Sequence, residues 1–135
     1  MANKFSVAVR NARADAVETA IGASAVMKIR TGAPPAAITD ADSGTVLATL
    51  ALPSDWLAAA SGGAKAKSGT WQDASADAAG TAAHFRIYAS DGVTQHWQGT
   101  VTATGGGGDM TVDNTSFAAA QSFTVTAFSW TEGNA

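Results

Sequence analysis

The sequence predicts a mainly β chain, an antiparallel β-sandwich or small barrel with one N-terminal α-helix. Three observations carry this. One N-terminal segment has apolar residues at helical spacing, later segments place them at alternate positions, and glycine-rich turns separate those segments. At 135 residues the chain fits a single domain, residues 1–135, large enough to bury a core without staples.

The helix is expected over residues 6–21. Ser6 is the N-cap, and Phe5, Val9, Ala12, Ala16 and Ala20, with Val17 and Ile21, recur three and four residues apart. Arg10, Arg13, Asp15 and Glu18 take the other side, and Gly22 stands where a left-handed C-terminal glycine belongs. Strands follow. Residues 25–31 set Met27 and Ile29 on one face and Lys28 and Arg30 on the other. Residues 45–52 align Val46, Ala48, Leu50 and Leu52, and Pro53 ends that strand because it has no N–H to donate. A further strand is expected over residues 64–72, around Trp71, between loops at 61–63 and 73–80.

The second half reads as hairpins. Asp91-Gly92 lies between two alternating segments. A three-residue loop, Ser90-Asp91-Gly92, keeps one face apolar by pairing Phe85 with Trp97 and Ile87 with Gln95. Closing the glycine run 105–108 as a four-residue loop sets Ala103 against Met110 and Val101 against Val112. This register sends His84, Arg86, Tyr88 and His96 outward. The last strand, residues 122–130, changes parity: either a bulge near Ala127 restores the face, or Phe128 and Trp130 point outward and mark a contact surface. Arg86, Tyr88, His96, Phe128 and Trp130 are therefore the candidate subunit-contact residues.

Chemistry-bearing patterns are weak. Arg86 between His84 and His96 opposes metal binding. Asp40-Ala41-Asp42-Ser43-Gly44 has alternate carboxylates, yet an EF-hand loop needs its glycine one position later and a glutamate where Ala51 stands, so an Asx-turn is the simpler reading. The glycine run joins strand to strand, whereas a phosphate loop joins strand to helix. Serines show no G-x-S-x-G pattern, and the aspartates available as a glycosidase pair fall in loops or at outward positions. No catalytic residue, metal or cofactor is expected. The four tryptophans, Trp56, Trp71, Trp97 and Trp130, are read as core fillers in a sequence short of large aliphatics.

Composition narrows the function classes. Hydrophobic residues make up 46% but include many alanines, and charged residues only 14%, which leaves little charge to keep copies apart. A net charge of −3 with scattered basic residues opposes nucleic-acid binding. Without cysteine there is no disulfide or thiolate chemistry. The N-terminal segment lacks a continuous apolar core and no window approaches eighteen apolar residues, so neither export nor membrane insertion is indicated, and synthesis in a cytoplasm is expected.

Several segments together resemble a family of small structural proteins of tailed bacteriophages and prophages. They are VRNARADAVETAIG (9–22), MKIRTGAPP (27–35), LPSDW (52–56), GTW (69–71), TVTATGGGGDMTVDN (100–114) and the closing FTVTAF strand. The resemblance implies a virion component on the capsid surface, the neck or the tail, made in a host bacterial cytoplasm, whose partners are other copies of itself and other virion proteins. It transfers no functional residue. A carbohydrate-binding module using Phe128 and Trp130 is the alternative expectation.

Overall fold

The computed structural model describes residues 3–135. Helix α1 spans Val7–Ile21, and the Ser6 hydroxyl caps it by accepting from the Val9 N–H at 3.3 Å. Gly22 closes it at φ +94°, its N–H donating to the Glu18 carbonyl, but with ψ at 173° the backbone leaves in an extended rather than a left-handed conformation.

Eleven strands follow: β1 (Val26–Arg30), β2 (Val46–Ala51), β3 (Ala64–Ala66), β4 (Trp71–Asp73), β5 (Gly80–Thr81), β6 (His84–Tyr88), β7 (Gln95–Ala103), β8 (Met110–Val112), β9 (Ser116–Phe117), β10 (Phe123–Val125) and β11 (Ser129–Thr131). Five of them form the main sheet in the order β2-β1-β6-β7-β8, which curls into a half-barrel. The ribbons β4–β10, β3–β11 and β5–β9 complete a mainly β fold with one helix. One continuous core fills the concave side, with Met27, Ile29, Leu50, Phe85 and Ile87 from the main sheet packed on Trp56, Trp71 and Phe128. The free edge of β2 is closed internally: the Thr49 N–H donates to the Asp73 carboxylate at 2.9 Å, and the Leu47 carbonyl accepts from the Asp77 N–H at 2.8 Å. Such capping blunts an edge that would otherwise template pairing.

Both hairpin registers differ from expectation. Phe85 pairs with Gly99 and Ile87 with Trp97, a slide of two residues that preserves parity. A bulge between Ile87 and Tyr88 then brings Gln95 opposite Tyr88 and displaces His96. The loop spans residues 90–93, closed by the Ala89 N–H on the Thr94 carbonyl. Asp91 causes the extra length, because its carboxylate accepts from the N–H groups of Val93 and Thr94 and from the Thr94 hydroxyl, organising the residues after Gly92. Those three bonds hold the Asp91 carboxyl down at about 2. The slide is set by size. Phe85 fills the space over Gly99, where an added Cβ would lie 2.7 Å from its ring. Gly99→Ala is therefore expected to destabilise the fold by about 1–3 kcal/mol through overpacking, measured by urea unfolding.

The glycine run does not close an antiparallel hairpin. β7 and β8 are parallel, with Val101 beside Met110 and Ala103 beside Val112. The chain recoils over Thr102. The Gly108 N–H donates to the Thr102 hydroxyl at 3.0 Å, and a Cβ at Gly106 or Gly108 would come within 2.7 or 2.9 Å of that side chain. Asp109 then returns to the level of Thr100, accepting from its N–H at 2.8 Å, so the next strand starts in the same direction. Only glycine permits so close a backbone approach.

Two expected strands are interrupted. Residues 64–72 split into β3 and β4 around Gly69, which has φ +70° and lies against Pro53. Residues 122–130 split into β10 and β11, and the break turns Phe128 into the core, as a bulge would. No helix among the described residues is long and apolar enough to cross a membrane.

Candidate functional site

The convex side of β6 carries His84, Arg86 and Tyr88, which the expected register exposes. All three are fully buried. The cover is residues 32–44, which fold back across β1, β6 and β7. Arg30 is brought beside His84, and Gln98 beside Arg86, by strand pairing. Arg86 donates to the Asp42 carboxylate at 2.8 Å, to the carbonyls of Asp40 and Ala37, and through two nitrogens to Gln98 Oε1. Arg30 reaches the other Asp42 oxygen at 2.8 Å, and the Tyr88 hydroxyl donates to Asp42 Oδ1 at 2.8 Å. Gln98 donates to the Pro35 carbonyl at 2.7 Å, which anchors the first part of the cover.

The electrostatics follow from this geometry. Burial alone would raise the Asp42 carboxyl, but the bonds from Tyr88 and Arg86 and the charges of Arg30 and Arg86 outweigh it and hold the carboxyl below its ordinary value. Burial raises the Tyr88 phenol, and its bond to Asp42 adds to the rise. Burial lowers His84 and the two guanidiniums push the same way, against the bond to the Gly32 carbonyl. The carboxylates of residues 40–44 do not converge on a cation: Asp42 faces two guanidiniums, and Asp40 turns back to accept from the Ala37 N–H. Among the described residues no group of three His, Asp or Glu side chains is placed to hold a metal.

A second polar cluster docks the helix. Lys65, buried on β3, donates to Asp15 at 2.7 Å, to Glu18 at 3.0 Å and to the Ala58 carbonyl. Asp15 also accepts from the Ala60 N–H, Glu18 from the Leu57 N–H and Asn11 from the Gly63 N–H. Arg10 bonds the Glu132 carbonyl, while Arg13 pairs with the Glu132 carboxylate. Asp15, Glu18 and Lys65 line an open concavity of about 460 Å³. The bonds from Lys65 and the Ala60 N–H lower Asp15. Lys65 is raised although burial opposes it, because its bonds to Asp15 and Glu18 prevail. Each group is thereby fixed in its charged form, the reverse of the tuning that makes a carboxyl a general acid or an amine a base near neutrality.

The same docked side buries Ala14 and Ile21 and packs Val17 on the core, and the helix turns its other side out. Phe5, Val7 and Val9 are 40%, 51% and 43% exposed, and Ala12, Ala16 and Ala20 continue the stripe along the surface.

The five contact candidates are therefore dispersed. Arg86 and Tyr88 lie under the 32–44 cover and present no surface to another copy, because the convex face is already occupied from within. Phe128 is buried between Trp71 and Phe85. Trp130 is half-buried edge-on to Trp97, with centroids 4.7 Å apart, so the pair is not an open stacking platform. His96 is exposed at the bulge. Asp42 entered the sequence reading only as part of the 40–44 carboxylate pattern, not as a partner of the arginines. Its signal is scarcity: in a chain with only eight lysines and arginines, two arginines on neighbouring strands call for a nearby carboxylate. Compared with family models, curated proteins and solved structures, the chain matches none.

Proposed function

We propose that the chain is a non-enzymatic structural component of a tailed-phage virion, a capsid-decoration or neck and tail accessory protein that works through contacts with its own copies and with other virion proteins. The observation that carries the reading is the exposed apolar row on the helix. An amphipathic surface helix ordinarily buries its apolar stripe. This one buries Ala14 and Ile21, with Val17 packed on the core, beside its internal ion pairs, yet leaves a second apolar row, Phe5, Val9, Ala12, Ala16 and Ala20, in contact with solvent. Contiguous exposed apolar surface is characteristic of protein–protein contact. The polar clusters, bonded internally and turned inward, agree with a scaffold role. The order of sequence segments supplies the virion context.

Mass spectrometry of purified particles from the same genome, with light scattering of the isolated protein, tests this. The protein is expected in particles and as a multimer. A monodisperse monomer with no copies in particles overturns the reading. Ala16→Glu is expected to lower the multimer fraction at least tenfold while changing stability by less than about 0.5 kcal/mol, since that position is exposed.

A further inference from the structure

We propose that residues 32–44 are a strap that mild acid releases from the convex face of the main sheet while the core stays folded. The apolar core runs through Ile29 and resumes at Leu47, with no member between them. The strap is thus retained by polar contacts: Arg86 to the carbonyls of Ala37 and Asp40, Gln98 to Pro35, His84 to Gly32, and Arg30, Arg86 and Tyr88 to Asp42. Segments with few buried apolar contacts open at lower free energy than the core beneath them.

His84 makes the retention pH-dependent. Its Nδ1 lies 2.7 Å from the Gly32 carbonyl, which can only accept, so Nδ1 carries the proton and Nε2 is a bare acceptor. Nε2 is buried with no partner, and so is Arg30 Nε. A second proton on the imidazole would create an N–H without an acceptor. It would also add a third cation beside Arg30 and Arg86 with one carboxylate, Asp42, to balance them. The groups facing this site are Arg30 from β1, Arg86 and Tyr88 from β6, Asp42 and the Asp40 carbonyl from the strap, and the neutral Gln98 from β7. Lys28 turns away over the Tyr88 ring toward the Gly92 carbonyl, and His96 is displaced outward by the bulge.

Lifting the strap hydrates His84, which then takes its proton at the ordinary value of about 6.5. The closed form binds that proton only at lower pH. Between the two values the open form holds more protons, so closure is full above about pH 6.5 and weakens as pH falls. Asp42, held low in the closed form, acts in the same direction as pH drops below the ordinary carboxylate value of about 4.

Limited proteolysis of the whole protein within 32–44 at pH 7.5 and 5.0, each rate normalised to an unstructured peptide of the same sequence, with hydrogen exchange of β1 and β6 measured alongside, tests the strap. Protection across 32–44 is expected to fall about tenfold, one proton being linked to opening at up to tenfold per pH unit, with β1 and β6 unchanged. His84→Gln should abolish that pH dependence whatever its absolute protection. Protection independent of pH, equal loss in β1 and β6, or an unchanged pH dependence in His84→Gln overturns the proposal. Should His84→Gln not fold, an NMR titration of the wild-type imidazole decides: a value at or above about 6.5 overturns the strap, and a lower one sustains it.

Discussion

Trp71→Ala is expected to lower the stability by about 3–5 kcal/mol, with a fall in melting temperature on the order of 10–20 °C. Trp71 is fully buried, with its ring 6.0 Å from Trp56 and 5.4 Å from Phe128, and its N–H is shared between the carbonyls of Ser68 and Trp56. Removing the indole opens a cavity at the junction of the main sheet with β4 and β11, and leaves two carbonyls without that donor. Alanine supplies much of the chain's apolar fraction, so the neighbours have little spare volume with which to collapse into the gap. Urea unfolding measures the effect, and a loss under about 1.5 kcal/mol would contradict the core role assigned to this residue.

The second large effect is expected at Asp42→Asn. The amide keeps the shape and removes the one carboxylate paired with Arg30 and Arg86, whose side chains are 8% and 0% exposed. Breaking a buried ion pair from one side costs about 3–5 kcal/mol because the remaining charge is stranded. The lower end, about 3 kcal/mol, is expected here: Asp42 is 32% exposed, and water can reach the guanidiniums once residues 32–44 lift. Adding Arg86→Met to Asp42→Asn relieves one stranded charge, so the double variant should lose less than the sum of the single losses. An additive result would show that the three groups do not act as one network.

Much of the fold was legible in local pattern. The helix cap at Ser6, the alternation of Met27 and Ile29 and the stop at Pro53 all follow from short-range chemistry. What local pattern could not supply was the second side of each element. Arg30 and Arg86 read as solvent-facing because alternation assigns polar residues outward, but residues 32–44, just beyond Arg30 in sequence, fold back to cover them, and strand periodicity carries no trace of that. The helix misleads for the opposite reason: its apolar stripe is plain in the sequence, but its docking side is chosen by Lys65 and Glu132, which lie far away along the chain. The glycine run was recognised as a turn. Its direction depended on Thr102 and Asp109 bonding across it, which an antiparallel default overlooks. Among the contact candidates, Arg86, Tyr88 and Phe128 lie buried, whereas His96 stays exposed and Trp130 half-exposed.

The order of strands in the main sheet also bears on how the chain reaches its structure. β1 and β2 are near neighbours in sequence, and so are β6, β7 and β8, so each group can assemble locally. The two groups meet at a single seam, where Val26 lies beside Tyr88 and Arg30 beside His84. The β3–β11 and β4–β10 ribbons likewise join residues far apart in the chain. Such long closures lose chain entropy before any contact rewards them, which places folding on a scale of milliseconds to seconds. Substitutions along the β1–β6 seam and the β3–β11 ribbon should then retard refolding more than those within either local group.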